Sequence, residues 1–131
     1  MKKRGILNAE LAKCIAGLGH TDLFLIGDAG MPVPEGVPII DLVLTAGIPT
    51  FAQVLAAVAD EAVIQAAYLA EETETKNPAT MQVIRDTLGD IPLTAMSHED
   101  LKRFTGACKF AIRTGENTPY SNIVCEAGVA F

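Results

Sequence analysis

The sequence predicts an α/β fold: one three-layer domain over residues 1–131, with a largely parallel central sheet flanked by helices. Three observations carry this. Segments with helical periodicity alternate with short apolar runs along the chain, the pattern that builds parallel sheets. Leu23-Phe24-Leu25-Ile26 is apolar without alternation, as a strand buried on both faces requires. The 131 residues hold no internal repeat, linker or low-complexity tract, and that length suits one core.

The elements follow in order. Asn8 caps a helix whose apolar positions Leu11, Ile15 and Leu18 recur at helical spacing, with Gly17 and Gly19 as its stop. His20 falls in the turn to the first strand, and Asp28 stands at that strand's C-terminal end, ahead of Ala29-Gly30. Residues 31–38 are punctuated by proline and glycine, residues 39–44 read as a second strand, and Gly47-Ile48-Pro49 ends it. Thr50 caps a helix carrying Phe51, Val54, Leu55 and Val58, and a third strand is expected over 62–69. Residues 71–76, the most charged stretch, read as a solvated loop. Asn77-Pro78 then has the form of an N-cap followed by proline at the first helical position, opening a helix that Gly89 closes. A short strand is expected at 92–96. Ser97 caps a helix containing Leu101 and Phe104, which holds His98 at its entrance. Strands at 110–113 and 123–125 complete the list, joined by 114–122.

Composition excludes several classes of function. A formal net charge of −6 opposes the approach of phosphate backbones, so no nucleic-acid partner is expected. No apolar stretch approaches the ~20 residues of a spanning helix, and Asn8, Glu10 and Lys13 interrupt any signal-like segment after Lys2-Lys3-Arg4. A soluble, intracellular protein without a membrane partner is expected. Half the residues are hydrophobic, with no Trp, and the apolar surplus is most easily placed at contacts between copies of a homo-oligomer. Three widely spaced cysteines fit neither a disulfide framework nor a zinc motif, and read as reduced, packed thiols.

The polar residues point to one small metal-free pocket. The chain has only two histidines. His20 is the acid–base candidate, because imidazole titrates near neutrality and Asp22 or Asp28 could orient it; the plainer reading is a histidine bonding its own turn. His98 sits where backbone donors suit a polar ligand, or else is an ordinary solvated helix-entry residue. Asp28 can accept from sugar hydroxyls, though an Asp before Ala-Gly also makes a turn. Tyr120 and Asn122 flank Ser121, so an extended backbone presents phenol and amide on one face. A dinucleotide fingerprint, a phosphate-loop lysine and a nucleophile elbow are all missing. Proton transfer on, or binding of, a small hydroxylated molecule remains.

The blocks Met1-Lys2-Lys3-Arg4-Gly5-Ile6-Leu7-Asn8, Leu18-Gly19-His20-Thr21-Asp22, Asp28-Ala29-Gly30 and Arg113-Thr114-Gly115-Glu116-Asn117-Thr118-Pro119-Tyr120-Ser121-Asn122 resemble the D-ribose pyranase family, related to the fucose mutarotases, and the likeness runs to Phe131. The resemblance implies an isomerase of carbohydrate metabolism and ribose catabolism, interconverting the β-pyranose and β-furanose forms of D-ribose. It also implies a cytoplasmic setting, no cofactor, and a ring-shaped homo-oligomer, a pentamer or a homodecamer. By matching motif, His20 is the proton donor, Asp28, His98, Tyr120 and Asn122 contact the sugar, and Lys102 matches a further pocket position. Gly27 stands where alanine is frequent. Fucose mutarotation by the same chemistry, and a non-catalytic ribose-binding module, are the alternatives.

Overall fold

The computed structural model describes residues 1–131. Its strands are β1 (Leu23–Gly27), β2 (Ile39–Asp41), β3 (Ile64–Ala70), β4 (Leu93–Met96), β5 (Phe110–Arg113) and β6 (Ile123–Ala127), and its helices α1 (Ala9–Ala16), α2 (Phe51–Glu61), α3 (Glu71–Lys76), α4 (Pro78–Leu88) and α5 (His98–Phe104). All six strands join one sheet in the order β2-β5-β1-β6-β3-β4. The pairs β1–β5, β2–β5 and β3–β4 are parallel, while β6 runs antiparallel to both β1 and β3. Five strands therefore share one direction, and their carboxyl ends lie along one edge of the molecule with the start of β6.

The two faces of the sheet are covered unequally. On one face Phe24, Ile26, Ile112 and Ile123 pack with α1 (Leu11, Ile15), α2 (Val54, Leu55, Val58) and α4 (Ile84, Leu88). Each such side chain contributes about 1.5–3 kcal/mol when removed from water. On the other face Leu25, Val124 and Ala111 meet Leu101 of α5 and Met31 of the proline-rich segment, a thinner third layer. The expected three-layer arrangement is present, with β6 as its one reversed strand.

Local chemistry places the helices as the sequence predicts. Asn8, Thr50, Asn77 and Ser97 each accept a backbone N–H of the first turn that they cap. At Thr50 the cap is reciprocal, with Gln53 bonding back. Some boundaries differ from expectation. β2 stops at Asp41, whose carboxylate accepts the N–H of Val43 and turns the edge strand aside. Ala62 ends α2, so β3 starts only at Ile64, and β6 continues to Ala127.

Residues 71–76 form a helix, α3, rather than the solvated loop their charge implied. Glu71, Glu72 and Glu74 lie at its N-terminal end and Lys76 at its last turn, both favourable to the helix dipole. Thr73 is fully buried on its inner side and donates to the carbonyl of Tyr120 at 2.9 Å. Tertiary packing thus decides a segment whose composition reads as exposed.

Candidate active site

At the carboxyl edge, Asp28 leaves β1 beside Asn122, the residue before β6. The Asp28 N–H donates to Asn122 Oδ1 at 2.8 Å, and Asn122 Nδ2 donates to Asp28 Oδ2 at 2.8 Å. The other carboxylate oxygen accepts the Gly30 N–H at 2.9 Å. Antiparallel pairing of Ile26 with Ile123 sets this register. Asn122 is 1% exposed, so an unbonded amide there would be costly, and the pair holds the carboxylate in one orientation. A Cβ on Gly27 would lie 3.1 Å from Asn122 Oδ1 and 3.1 Å from Met31 Cβ, so glycine leaves room for the pair.

Residues 113–118 brace the backbone on either side of Asp28. Arg113 Nε donates to the Ala29 carbonyl and its Nη1 to Asp41 Oδ2. Thr114 donates twice to the Gly27 carbonyl, from backbone and hydroxyl. The Glu116 carbonyl accepts the Ala29 N–H, and its carboxylate accepts from Thr118 and from the Phe51 N–H at the start of α2. Burial opposes ionisation of Glu116, but these donors together hold its carboxyl below the ordinary value.

Tyr120 is held in a left-handed backbone conformation, φ +66°, uncommon for a large side chain. A buried network enforces it. Asn77 Nδ2 donates to the Pro119 carbonyl at 2.8 Å and to Ser121 Oγ at 3.1 Å, while Thr73 takes the Tyr120 carbonyl and Thr80 shares a hydrogen bond with Ser121. The sequence marks Asn77 only as a helix cap; its grip on residues 119–121 spans 42 and 44 positions and has no local signature.

The Tyr120 ring meets the His98 ring edge-on, centroids 5.1 Å apart, and Lys76 Nζ lies 5.6 Å from the Tyr120 centroid. The His98 N–H, at the first turn of α5, donates to Glu72 Oε2 at 2.9 Å. His98 Nδ1 is buried without a hydrogen-bond partner, which leaves Nε2 as the nitrogen open to a ligand. Asp28 with Asn122, and Tyr120 with His98, thus form two polar pairs at one end of the sheet. Lys102, one turn along α5, bonds Glu99 at 2.8 Å and faces a groove with Pro32, Pro34 and Arg103.

His20 is at the opposite end. It precedes β1 whereas Asp28 follows it, and five strand residues put about 17 Å between the two ends. One chain therefore does not bring His20 into a pocket with the other four residues, contrary to the single pocket expected from sequence. The His20 turn is firmly built. Asp22 accepts the Gly19 N–H at 2.7 Å and Lys109 Nζ at 2.6 Å, contacts that hold its carboxyl below the ordinary value, and Thr21 donates to the Ala127 carbonyl. His20 is exposed at the rim of a cleft of about 500 Å³ lined also by Glu61, Val63, Val129 and Phe131.

His20 Nε2 lies 3.0 Å from Gln65 Oε1, Gln65 Nε2 donates to Glu126 Oε1 at 2.6 Å, and Tyr68 Oη donates to Glu126 Oε2 at 2.8 Å. Bonds from Gln65 and Tyr68 lower the Glu126 pKa, and the nearby His20 adds to the effect. Gln65, Tyr68 and Glu126 carry no motif in the sequence; only the β3–β6 pairing brings them together.

The cysteines are free, as expected, and burial pushes the Cys108 thiol up to about 12, far from a nucleophile's range. No three His, Cys, Asp or Glu side chains converge as metal ligands would. No helix is long and apolar enough to cross a membrane.

Fold and site together define a small α/β protein that presents a carboxylate, an amide, an imidazole and a phenol at the carboxyl ends of parallel strands. The chain belongs to the RbsD / FucU transport protein family, whose model matches residues 1–130. The D-ribose pyranase of Limosilactobacillus fermentum is 50% identical over 131 residues, all of both chains. The structure of Bacillus subtilis RbsD complexed with D-ribose superposes with a TM-score of 0.96 at 44% identity, again over the whole of each chain. The fucose mutarotase of Streptococcus pneumoniae shares the fold, with a TM-score of 0.81 at 18% identity over 95% of each chain.

Proposed function

We propose that the protein is a D-ribose pyranase, interconverting the β-pyranose and β-furanose forms of D-ribose by acid–base ring opening and reclosure. The observation that carries this is the Asp28–Asn122 pair and the Tyr120–His98 contact at one end of the sheet, in a chain that aligns end to end with D-ribose pyranases. Asp28 and Asn122 together offer acceptors and a donor to sugar hydroxyls, and His98 and Tyr120 supply two further polar groups. Lys102 is assigned a peripheral role in sugar binding. The reaction draws on no cofactor or metal in this reading.

Ring opening needs a proton delivered to the ring oxygen while the anomeric hydroxyl loses one. The aldehyde formed recloses when a different hydroxyl attacks after bond rotation. A positioned acid–base group accelerates such a step by ~10²–10⁴-fold. His20 is that acid, and because β1 separates it from Asp28 within one chain, it acts on sugar held by a neighbouring copy. The exposed Val63, Val129 and Phe131 at the His20 end, and Ile39, Leu44 and Ile48 elsewhere, support a homo-oligomer in which each site draws on two subunits. A ring, a pentamer or a decamer, satisfies this head-to-tail use of opposite ends. A cytoplasmic location and a place in ribose use belong to the same reading.

NMR exchange spectroscopy on D-ribose tests it: added protein should speed pyranose–furanose exchange, and His20→Ala should abolish that effect while ribose still binds. Unchanged exchange with intact binding would mark a ribose-binding module instead. Faster exchange of L-fucose than of D-ribose would assign the fucose reaction.

A further inference from the structure

We propose that Gln65, locked by Glu126, is a positioning residue that fixes the tautomer of His20, so that Nδ1 is the nitrogen that exchanges protons with the sugar. The inference rests on His20 being the acid of the reaction proposed above.

The geometry leaves little choice of roles. An ionised carboxylate only accepts hydrogen bonds, and both oxygens of Glu126 are engaged, one by Gln65 Nε2 at 2.6 Å and the other by Tyr68 Oη at 2.8 Å. The NH₂ group of Gln65 is thereby committed to Glu126. Its carbonyl oxygen faces His20 Nε2 at 3.0 Å and can only accept, so Nε2 carries the proton. Tyr68 is itself fixed by the Phe104 ring, edge-on with centroids 4.8 Å apart. Gly128 completes the fixture. A Cβ there would lie 2.9 Å from Val63 Cγ1 and 3.2 Å from Gln65 Cβ, so the Gln65 side chain lies where only glycine leaves space.

In the reaction, protonated His20 gives its Nδ1 proton to the ring oxygen: the N–H bond breaks, an O–H bond forms, and neutral imidazole keeps its proton on Nε2. On reclosure the attacking hydroxyl returns a proton to Nδ1. On opening, the anomeric hydroxyl gives its proton to water, and on reclosure the aldehyde oxygen takes one back from water, so each cycle balances. Gln65 accepts from Nε2–H throughout and spares His20 any change of partner. In the other tautomer, Nδ1–H and bare Nε2, two lone pairs would face one another across 3.0 Å.

Two-bond ¹⁵N–¹H correlation spectra of histidine-labelled protein read the tautomer directly, with His20→Ala assigning the signals. Wild-type neutral His20 should be the Nε2–H form. Glu126→Gln supplies an amide that can donate to Gln65 Oε1 and free the Gln65 NH₂ to turn toward His20, and Gln65→Leu removes the acceptor. Both variants should show mixed tautomers, with kcat lower by about 10-fold or more, part of the ~10²–10⁴ that a positioned acid–base group supplies, and KM little changed. A wild-type Nδ1–H tautomer overturns the inference, as does an unaltered tautomer or an unaltered kcat in both variants. Wild-type protein that does not accelerate ribose exchange overturns the function itself, and the spectra distinguish that failure from this one.

Discussion

Asp28 and Asn122 bind each other twice, backbone N–H to side-chain oxygen and side-chain amide to carboxylate, each at 2.8 Å across 94 residues of sequence. The reciprocal pair makes the carboxylate at the end of β1 a fixed feature rather than a loop side chain. Asn122→Leu should strand the Asp28 N–H and release the carboxylate, lowering stability by about 1–3 kcal/mol. Urea denaturation gives that loss as a lower midpoint with an unchanged slope, and ribose titration should show weakened binding.

Asn77 performs two tasks, capping α4 and clamping both sides of Tyr120. Asn77→Ala removes a cap worth about 1 kcal/mol and leaves the buried Pro119 carbonyl and Ser121 hydroxyl short of a donor, for a total loss of about 2–4 kcal/mol. Asn77→Asp keeps the cap but sets a buried carboxylate oxygen against the Pro119 carbonyl, so it should cost at least as much as Asn77→Ala. Denaturation midpoints of both variants should therefore fall below wild type, and both should raise the KM for ribose.

Gly115 lies under the Ile48 backbone, where a Cβ would come within 2.3 Å of the carbonyl oxygen. Backbone cannot yield as a flexible side chain can. Gly115→Ala should cost about 3 kcal/mol or more, while Gly27→Ala, which meets Met31 and Asn122 at 3.1 Å, should need shifts of only a few tenths of an ångström. Thermal melts of the two variants side by side check the contrast.

The carboxyls of Asp22, beside Lys109 and the Gly19 N–H, and of Glu126, beside Gln65 and Tyr68, titrate below their ordinary values in the folded chain. A depressed folded pKa adds stability that is fully present above the unfolded value of about 4 and is lost as pH falls through the lower folded value. These two groups should thus leave stability unchanged between pH 7 and 5, by this linkage, and weaken the His20 end below about pH 4. Glu126→Gln should flatten that acid limb in denaturation midpoints measured against pH.

Much of the fold was legible because its signals are local. Asn8, Thr50, Asn77 and Ser97 bond within three residues, and the apolar run at Leu23–Ile26 needs no distant partner to be read as a buried strand. The errors came where distant contacts decide. Charge marked residues 71–76 as exposed, yet Thr73 inside that stretch bonds Tyr120, 47 positions away. Of the candidate site, Asp28 bonds Asn122 and His98 meets Tyr120 ring to ring, two pairings between residues distant in sequence or carried on different elements. Their separation from His20 follows from which end of β1 each occupies, and a list of motifs carries no such information.

The two-ended arrangement makes the decisive measurement a mixing experiment. His20→Ala and Asp28→Asn chains should each fail to speed D-ribose ring exchange by NMR. Unfolded together and refolded, they should recover a fraction of wild-type activity, because some assemblies join an intact His20 from one chain to an intact Asp28 from another. If the mixture stays inactive while wild-type chains treated identically regain full activity, His20 and Asp28 do not meet across copies, and the proposed site is wrong.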